Sequence, residues 1–180
     1  REESGVTAVV ADALPYRVWN ATRGGMVSHL FVQSVDGAEP PRDLTPGPHD
    51  CPPIDLGTPH DVAFSPDGAF LAYVLNADED VAWSTNNDVW EVPLARGGVV
   101  RQVSTGLGND AGPAYSPDGR WLAGLAMERA GFEADRRRVM VQDRETGEVR
   151  ELGAALDRSP ETLSWTPDSA ALLFVAADRG

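Results

Sequence analysis

The sequence predicts an all-β chain of four-stranded antiparallel sheets. Three observations predict it: a repeat near 50 residues, short apolar runs cut by turn residues, and strands that are apolar on both faces. Asp61-Val-Ala-Phe-Ser-Pro-Asp-Gly68 recurs as Gly112-Pro-Ala-Tyr-Ser-Pro-Asp-Gly119 after 51 residues, and as Thr162-Leu-Ser-Trp-Thr-Pro-Asp-Ser169 after another 50. The copies stay in register, with an aromatic residue at Phe64, Tyr115 and Trp165.

In order along the unit, strand A ends at a Pro-Asp turn. Pro66 and Pro117 preset φ, and Gly68 and Gly119 accept positive φ; Pro167 holds the same place in the third copy. Asp67, Asp118 and Asp168 recur inside these turns and read as caps on exposed amides, a structural task. Strand B follows as Phe70–Leu75, Trp121–Leu125 and Ala171–Val175. Strand C is Leu30–Val32, Val89–Val92 and Val139–Val141. It leads through Asp36-Gly37, Gly97-Gly98 and Thr146-Gly147 to strand D at Arg42–Thr45, Arg101–Ser104 and Arg150–Gly153. An acid then stands at a matched place, Asp50, Asp110 and Asp157. The runs are β-branched or aromatic over four to six positions, and no helix of ten residues finds uninterrupted room.

Leu71 to Val74 is apolar on both faces and needs cover on both sides. Without crossover helices another sheet must supply each cover, which radially stacked blades do. The expected architecture is therefore a β-propeller fragment with WD40-like repeats, a stacked open solenoid being the competing geometry. The expected division is the end of one blade at 1–50, blades at 61–110 and 112–157, and the start of another at 162–180. Strands A and B of the first blade are only hinted at Val6 to Val10. A closed propeller generally needs at least four blades, so this stretch does not close by itself.

The net charge of −13, from 28 acids against 15 basic residues that are all Arg, argues against a nucleic-acid binder. No apolar run reaches the length of a membrane-spanning helix. The single Cys51 forms no internal disulfide.

Antiparallel connectivity puts the short A–B and C–D turns on one face and the long loops 46–60, 76–88 and 127–138 on the other. Long polar loops on a rigid scaffold are the usual place for recognition. No Gly-x-Ser-x-Gly elbow exists, so no catalytic nucleophile is assigned. His29, His49 and His60 lack the clustering of a zinc site and read as isolated turn or surface residues. Asn76-Ala-Asp78-Glu79-Asp80 lacks the full calcium-loop pattern. No metal and no cofactor are expected.

The Ser-Pro-Asp-Gly units with their following Leu-Ala-Tyr strands resemble the propeller repeats of two families. These are the TolB-type periplasmic proteins and the prolyl-oligopeptidase-like serine peptidases. Leu14-Pro-Tyr-Arg17, Ser28-His-Leu-Phe-Val32, Ser84-Thr-Asn-Asn-Asp-Val-Trp90 and Glu128-Arg-Ala-Gly-Phe-Glu-Ala-Asp-Arg136 resemble the dipeptidyl-peptidase 5 and acylaminoacyl-peptidase group. The resemblance implies a propeller that gates peptide access to a Ser-Asp-His α/β-hydrolase domain beyond residue 180. The partners it implies are that domain and short peptides, and the location periplasmic or secreted, with the cytoplasm as alternative. A TolB-like protein-binding propeller without activity is the alternative function. Glu128, Arg129, Glu133, Asp135 and Arg136 are the candidates for substrate or domain-interface contact. The acids suit a peptide α-amino group and the arginines suit carboxylate forks. Glu133 and Arg136 pairing within the loop is the structural alternative.

Overall fold

The computed structural model describes residues 14, 17–18, 21–23, 25–54 and 61–178. The strand hinted at Val6 to Val10 and the readings on Pro15, Tyr16 and His60 lie outside the described residues. Five antiparallel sheets follow one another among those described, each built from strands consecutive in sequence. Strands β1 (Arg17–Val18) and β2 (Ala21–Thr22) pair, as do β3 (Phe31–Val32) and β4 (Arg42–Asp43). The first four-stranded sheet runs β5 (Val62–Phe64), β6 (Phe70–Asn76), β7 (Asn87–Pro93), β8 (Arg101–Gln102). The second runs β9 (Asp110–Tyr115), β10 (Trp121–Ala126), β11 (Arg138–Asp143), β12 (Val149–Leu152). Strands β13 (Pro160–Trp165) and β14 (Leu172–Ala176) form the last pair. The fold is all-β, with repeated four-stranded antiparallel sheets stacked as propeller blades. The β1–β2 pair had no sequence signal, because two-residue strands carry no apolar run.

Each A–B turn is held by the same relay. Ser65 Oγ–H donates to Asp67 Oδ1 (2.5 Å) and accepts from the Phe70 amide (2.9 Å), while Asp67 Oδ1 also accepts from the Ala69 amide (3.0 Å). Ser116 and Asp118 repeat it with the amides of Trp121 and Arg120. Thr166 and Asp168 do so with those of Ala171 and Ala170. The donated hydroxyl and amide hold all three carboxyls below the usual range. Gly68 and Gly119 sit at φ 68° and 74°, and Ser169 takes the same conformation at 60°. A second matched pair lies at a bulge in strand A, where Gly112 has φ 61° and Thr162 φ 48°. A β-branched residue there is strained by about 1–2 kcal/mol.

The double-sided apolar pattern of strand B produces two interfaces. On one face of β6, Leu71 and Tyr73 join Leu44, Cys51 and Val92; on the other, Ala72 and Val74 join Val89, Tyr115 and Leu122. Strand β10 repeats the arrangement, with Ala123 and Leu125 packing with Val139 and Val141 toward Leu163 and Trp165. Leu71, Leu122 and Leu172 are expected to be equally buried by register. Leu71 and Leu122 are buried, but Leu172 is half-buried and Leu173 and Val175 are exposed. Leu172 packs toward the Val139–Val141 cluster of the preceding blade but has no third strand beside β14 among the described residues, whereas Leu173 and Val175 face away from that blade; burial follows the neighbours rather than the repeat.

One contact between the two complete blades is ionic. Glu91, in the middle of β7, is 1% exposed. Its Oε2 accepts from Arg101 Nε (2.8 Å) in the same blade. Its Oε1 accepts from Tyr115 O–H (2.6 Å) and Arg144 Nη2 (2.9 Å), both from the next blade. Arg144 also donates to the Gly119 carbonyl (2.8 Å), and its guanidinium lies 4.9 Å from the Tyr115 ring centre and 5.2 Å from that of Phe70. Burial alone would raise the Glu91 pKa, but the Tyr115 and Arg101 hydrogen bonds and the two arginine charges hold it below the usual range.

Truncating matched leucines should expose the difference between a four-stranded blade and the two-stranded pair. Leu71→Ala should cost about 2–5 kcal/mol in denaturant unfolding and Leu172→Ala only about 1 kcal/mol. Equal costs at the two positions would contradict the packing described.

Candidate functional site

The long loops of the two complete blades meet along one face. In the 77–86 loop, Asp78 accepts from Ser84 Oγ–H and from Asn86 Nδ2 (3.2 Å), and Asn76 Oδ1 accepts from the Asp78 amide (3.1 Å). The loop is thereby closed on itself, and both Asp78 carboxylate oxygens are occupied. The Gly131 amide donates to Thr85 Oγ1 (2.8 Å), tying it to the 127–137 loop of the next blade. Between the loops lies a cleft of about 520 Å³, lined by Asp78, Asp80, Trp83, Thr85, Leu107 and Gly131 among others. Trp83 is 76% exposed and Leu107 is exposed too, so two large apolar side chains stand beside the two acids.

The five sequence candidates separate into different roles. Asp135 is buried and accepts from the amides of Glu128 (3.0 Å) and Arg129 (2.9 Å) and from Arg129 Nε and Nη2 (3.0 and 2.8 Å). Those bonds, the Arg129 side chain foremost, hold its carboxyl far below the usual range. Arg129 also stacks over Phe132 at 4.1 Å. Arg136 donates to the Leu156 carbonyl (3.1 Å) and to Glu151 (3.2 Å), so its ion-pair partner is β12 and not Glu133. Three-residue spacing brings side chains together on a helix, and this segment is a turn. Glu133 is exposed, and Glu128 is largely exposed with Arg138 at 3.7 Å. The segment lines the cleft through Ala130 and Gly131. Trp83 and Leu107 were not singled out from sequence; their only signal was a large apolar residue within a polar loop.

The other polar candidates are held locally. His29 Nδ1 meets Asp43 (2.8 Å) and Nε2 meets the Gly47 carbonyl (3.0 Å), and these partners raise its pKa. Asp50, Asp110 and Asp157, matched by spacing, share no environment. Asp50 pairs with Arg23, Asp110 is buried in β9, and Asp157 is fully exposed. Cys51 is buried, which pushes its thiol up to about 12. Among the described residues no group of three or more His, Cys, Asp or Glu is arranged to hold a metal ion.

The fold and this loop face define a β-propeller domain, and comparisons with known proteins extend that description. Dipeptidyl-peptidase 5 of Porphyromonas gingivalis is 30% identical over 175 residues, 94% of this chain and 25% of that protein. Dipeptidyl-peptidase 5 of Porphyromonas endodontalis is 32% identical over 114 residues, 59% of this chain and 16% of that one. The chain thus spans a quarter or less of the length of these relatives. Among solved structures, TolB from Acinetobacter baumannii superposes with a TM-score of 0.56 at 19% identity, over 82% of this chain and 32% of that one. A TolB-type protein of Agrobacterium tumefaciens gives 0.57 at 20%, over 84% and 47%. No protein-family profile matches. The chain has the propeller fold of TolB and is similar in sequence to one segment of the dipeptidyl-peptidases.

Asp135→Asn should loosen the 128–135 turn without unfolding the blade. Hydrogen exchange at the Glu128 and Arg129 amides should quicken several-fold, with β10 and β11 unchanged. A depressed folded pKa makes the contribution of Asp135 present above the unfolded carboxyl range and lost as pH falls through the folded value. In the unsubstituted protein the same amides should therefore stay protected down to strongly acidic pH. Loss of protection near pH 4 would refute the staple.

Proposed function

We propose that this chain is a non-catalytic recognition segment of a larger serine peptidase of the dipeptidyl-peptidase 5 kind. In this reading it is the end of one blade (1–50), two blades (61–110 and 112–157) and the start of another (162–180). Its loop face restricts entry of short peptides to a hydrolase domain elsewhere in the protein. The observation that carries the reading is similarity at 30% identity across 94% of the chain. The cleft supports it, since exposed Trp83 and Leu107 beside Asp80 suit a peptide with an apolar side chain and a free amine. Glu128 and Glu133 extend the same acidic face, while Arg129, Asp135 and Arg136 order the loop that carries them. A periplasmic or secreted location goes with this reading.

A second reading is favoured by the fold comparison, where the superpositions above are on TolB proteins. It is a protein-binding propeller with no hydrolase attached. Both readings keep chemistry out of these residues. A fluorophosphonate probe for activated serines, with a chromogenic dipeptide substrate, separates them on the intact protein. The peptidase reading expects a labelled serine outside residues 1–180, dipeptide release, and no activity from the 180-residue chain alone. Trp83→Ala should then lower kcat/KM about tenfold, which corresponds to about 1.4 kcal/mol. An intact protein that neither labels nor cleaves would leave the binding propeller standing and sink the peptidase.

A further inference from the structure

The two interfaces of the repeat are not packed alike. Strand register matches Leu71, Tyr73 and Leu75 of β6 with Leu122, Gly124 and Ala126 of β10, and Trp90 of β7 with Met140 of β11. In the first complete blade, Tyr73, Leu75 and Trp90 fill the interface toward Leu44 and Cys51. In the second, Gly124, Ala126 and Met140 stand in their places and border a groove of about 340 Å³. Val89, Val103 and Ser104 of the preceding blade form its other wall.

Backbone geometry does not require the glycine. Gly124 has no positive φ, and a Cβ there would meet only the Ala111 carbonyl oxygen at 3.5 Å, an ordinary contact. Gly124 stands where the register of β10 against β9 shifts between Ala123 and Leu125, opposite the Gly112 bulge, and it leaves the volume of a side chain empty in the strand interior. A second, independent observation lies in the same groove. Asp110 is 4% exposed, lines it, and has an oxygen, Oδ1, with no hydrogen-bond partner among the described residues. Arg138 Nε and Gln142 Oε1, of two further lining residues, are likewise buried and unpartnered. Such orphaned groups are costly in a folded protein unless something binds them.

We infer that this inter-blade groove is a binding site for a small neutral phenol. The size and shape follow from the repeat, because the side chain missing at Gly124 is the one present at Tyr73. The polar end carries one charge of each sign, Asp110 and Arg138, and a neutral hydroxyl meets both without adding a charge to the groove. A hydroxyl donates to Asp110 Oδ1 and accepts from the Arg138 Nε–H, two residues that both register with Ala126 from either side of β10. The apolar wall of Val89, Leu122, Met127 and Met140 covers the ring. Burial also pushes the Asp110 carboxyl up, in keeping with a site poor in water.

The three methionines provide the assay. Met127 and Met140 line the groove, while Met26 lies outside it and is 73% exposed. With 13C-methyl methionine in the purified protein, p-cresol should shift Met127 and Met140 saturably and leave Met26 still. Toluene, the same ring without the hydroxyl, should bind at least about tenfold more weakly. Gly124→Tyr, which rebuilds the other interface, should abolish the saturable shifts while circular dichroism and the Met26 signal stay unchanged. Ala126→Leu serves the same purpose if that variant folds poorly. N-acetyl-tyrosinamide distinguishes the source: binding as tight as p-cresol indicates a tyrosyl side chain, and binding of p-cresol alone a free phenol. Absent saturation, equal shifts at all three methionines, equal affinity for toluene, or unchanged binding in the filled variant would overturn the inference.

Discussion

The arrangement of the two complete blades depends on one buried carboxylate. Removing Glu91 from water costs several kcal/mol, and only a full set of donors offsets it. Arg101 comes from its own blade, but Tyr115 and Arg144 come from the next, so the acid is satisfied only when the blades are docked. Arg144 is itself placed by the Pro-Asp-Gly turn, whose Gly119 carbonyl it caps, and by its own amide bond to the Arg120 carbonyl. Apolar packing between sheets tolerates sliding; a hydrogen-bonded ion cluster has one register. The loop cleft follows from it, because the Thr85–Gly131 bond spans the same two blades.

Strand positions were legible in the sequence because turn chemistry is local. The Ser/Thr-Pro-Asp relay needs only five or six consecutive residues and occurs in each copy. What a strand position meets was not legible, because that depends on the next blade. Phe64, Tyr115 and Trp165 occupy one sequence position but three environments. Phe64 is exposed, Tyr115 is buried on Glu91, and Trp165 donates its indole N–H to the Ala114 carbonyl (3.0 Å). The candidate site divided the same way. The 128–136 segment reaches the long-loop face as its spacing implied, yet its most buried acid is spent on its own loop. Glu91 itself carried a signal, an acid in the centre of an apolar strand, that pattern reading absorbed into strand C.

Repetition sets the scaffold, and departures from repetition mark where the blades differ in use. Where Tyr73 and Trp90 close one interface, Gly124 and Met140 leave the next one open. Where Gly112 relieves a bulge, Thr162 holds it under strain. The loops that differ most between copies lie together on the cleft face, while the turns that differ least lie opposite. A propeller segment of this kind varies its loops and fillings around blades whose hydrogen bonding stays constant.

The direct test of the central claim is a double-mutant cycle between Glu91→Ala and Arg144→Ala, read by denaturant unfolding. A coupling of about 2 kcal/mol or more at neutral pH is predicted. It should fade as pH falls below the ordinary carboxyl range, because a depressed folded pKa makes the contribution of Glu91 present above the unfolded value and lost under acid. Additive effects within about 0.5 kcal/mol at neutral pH would contradict the account.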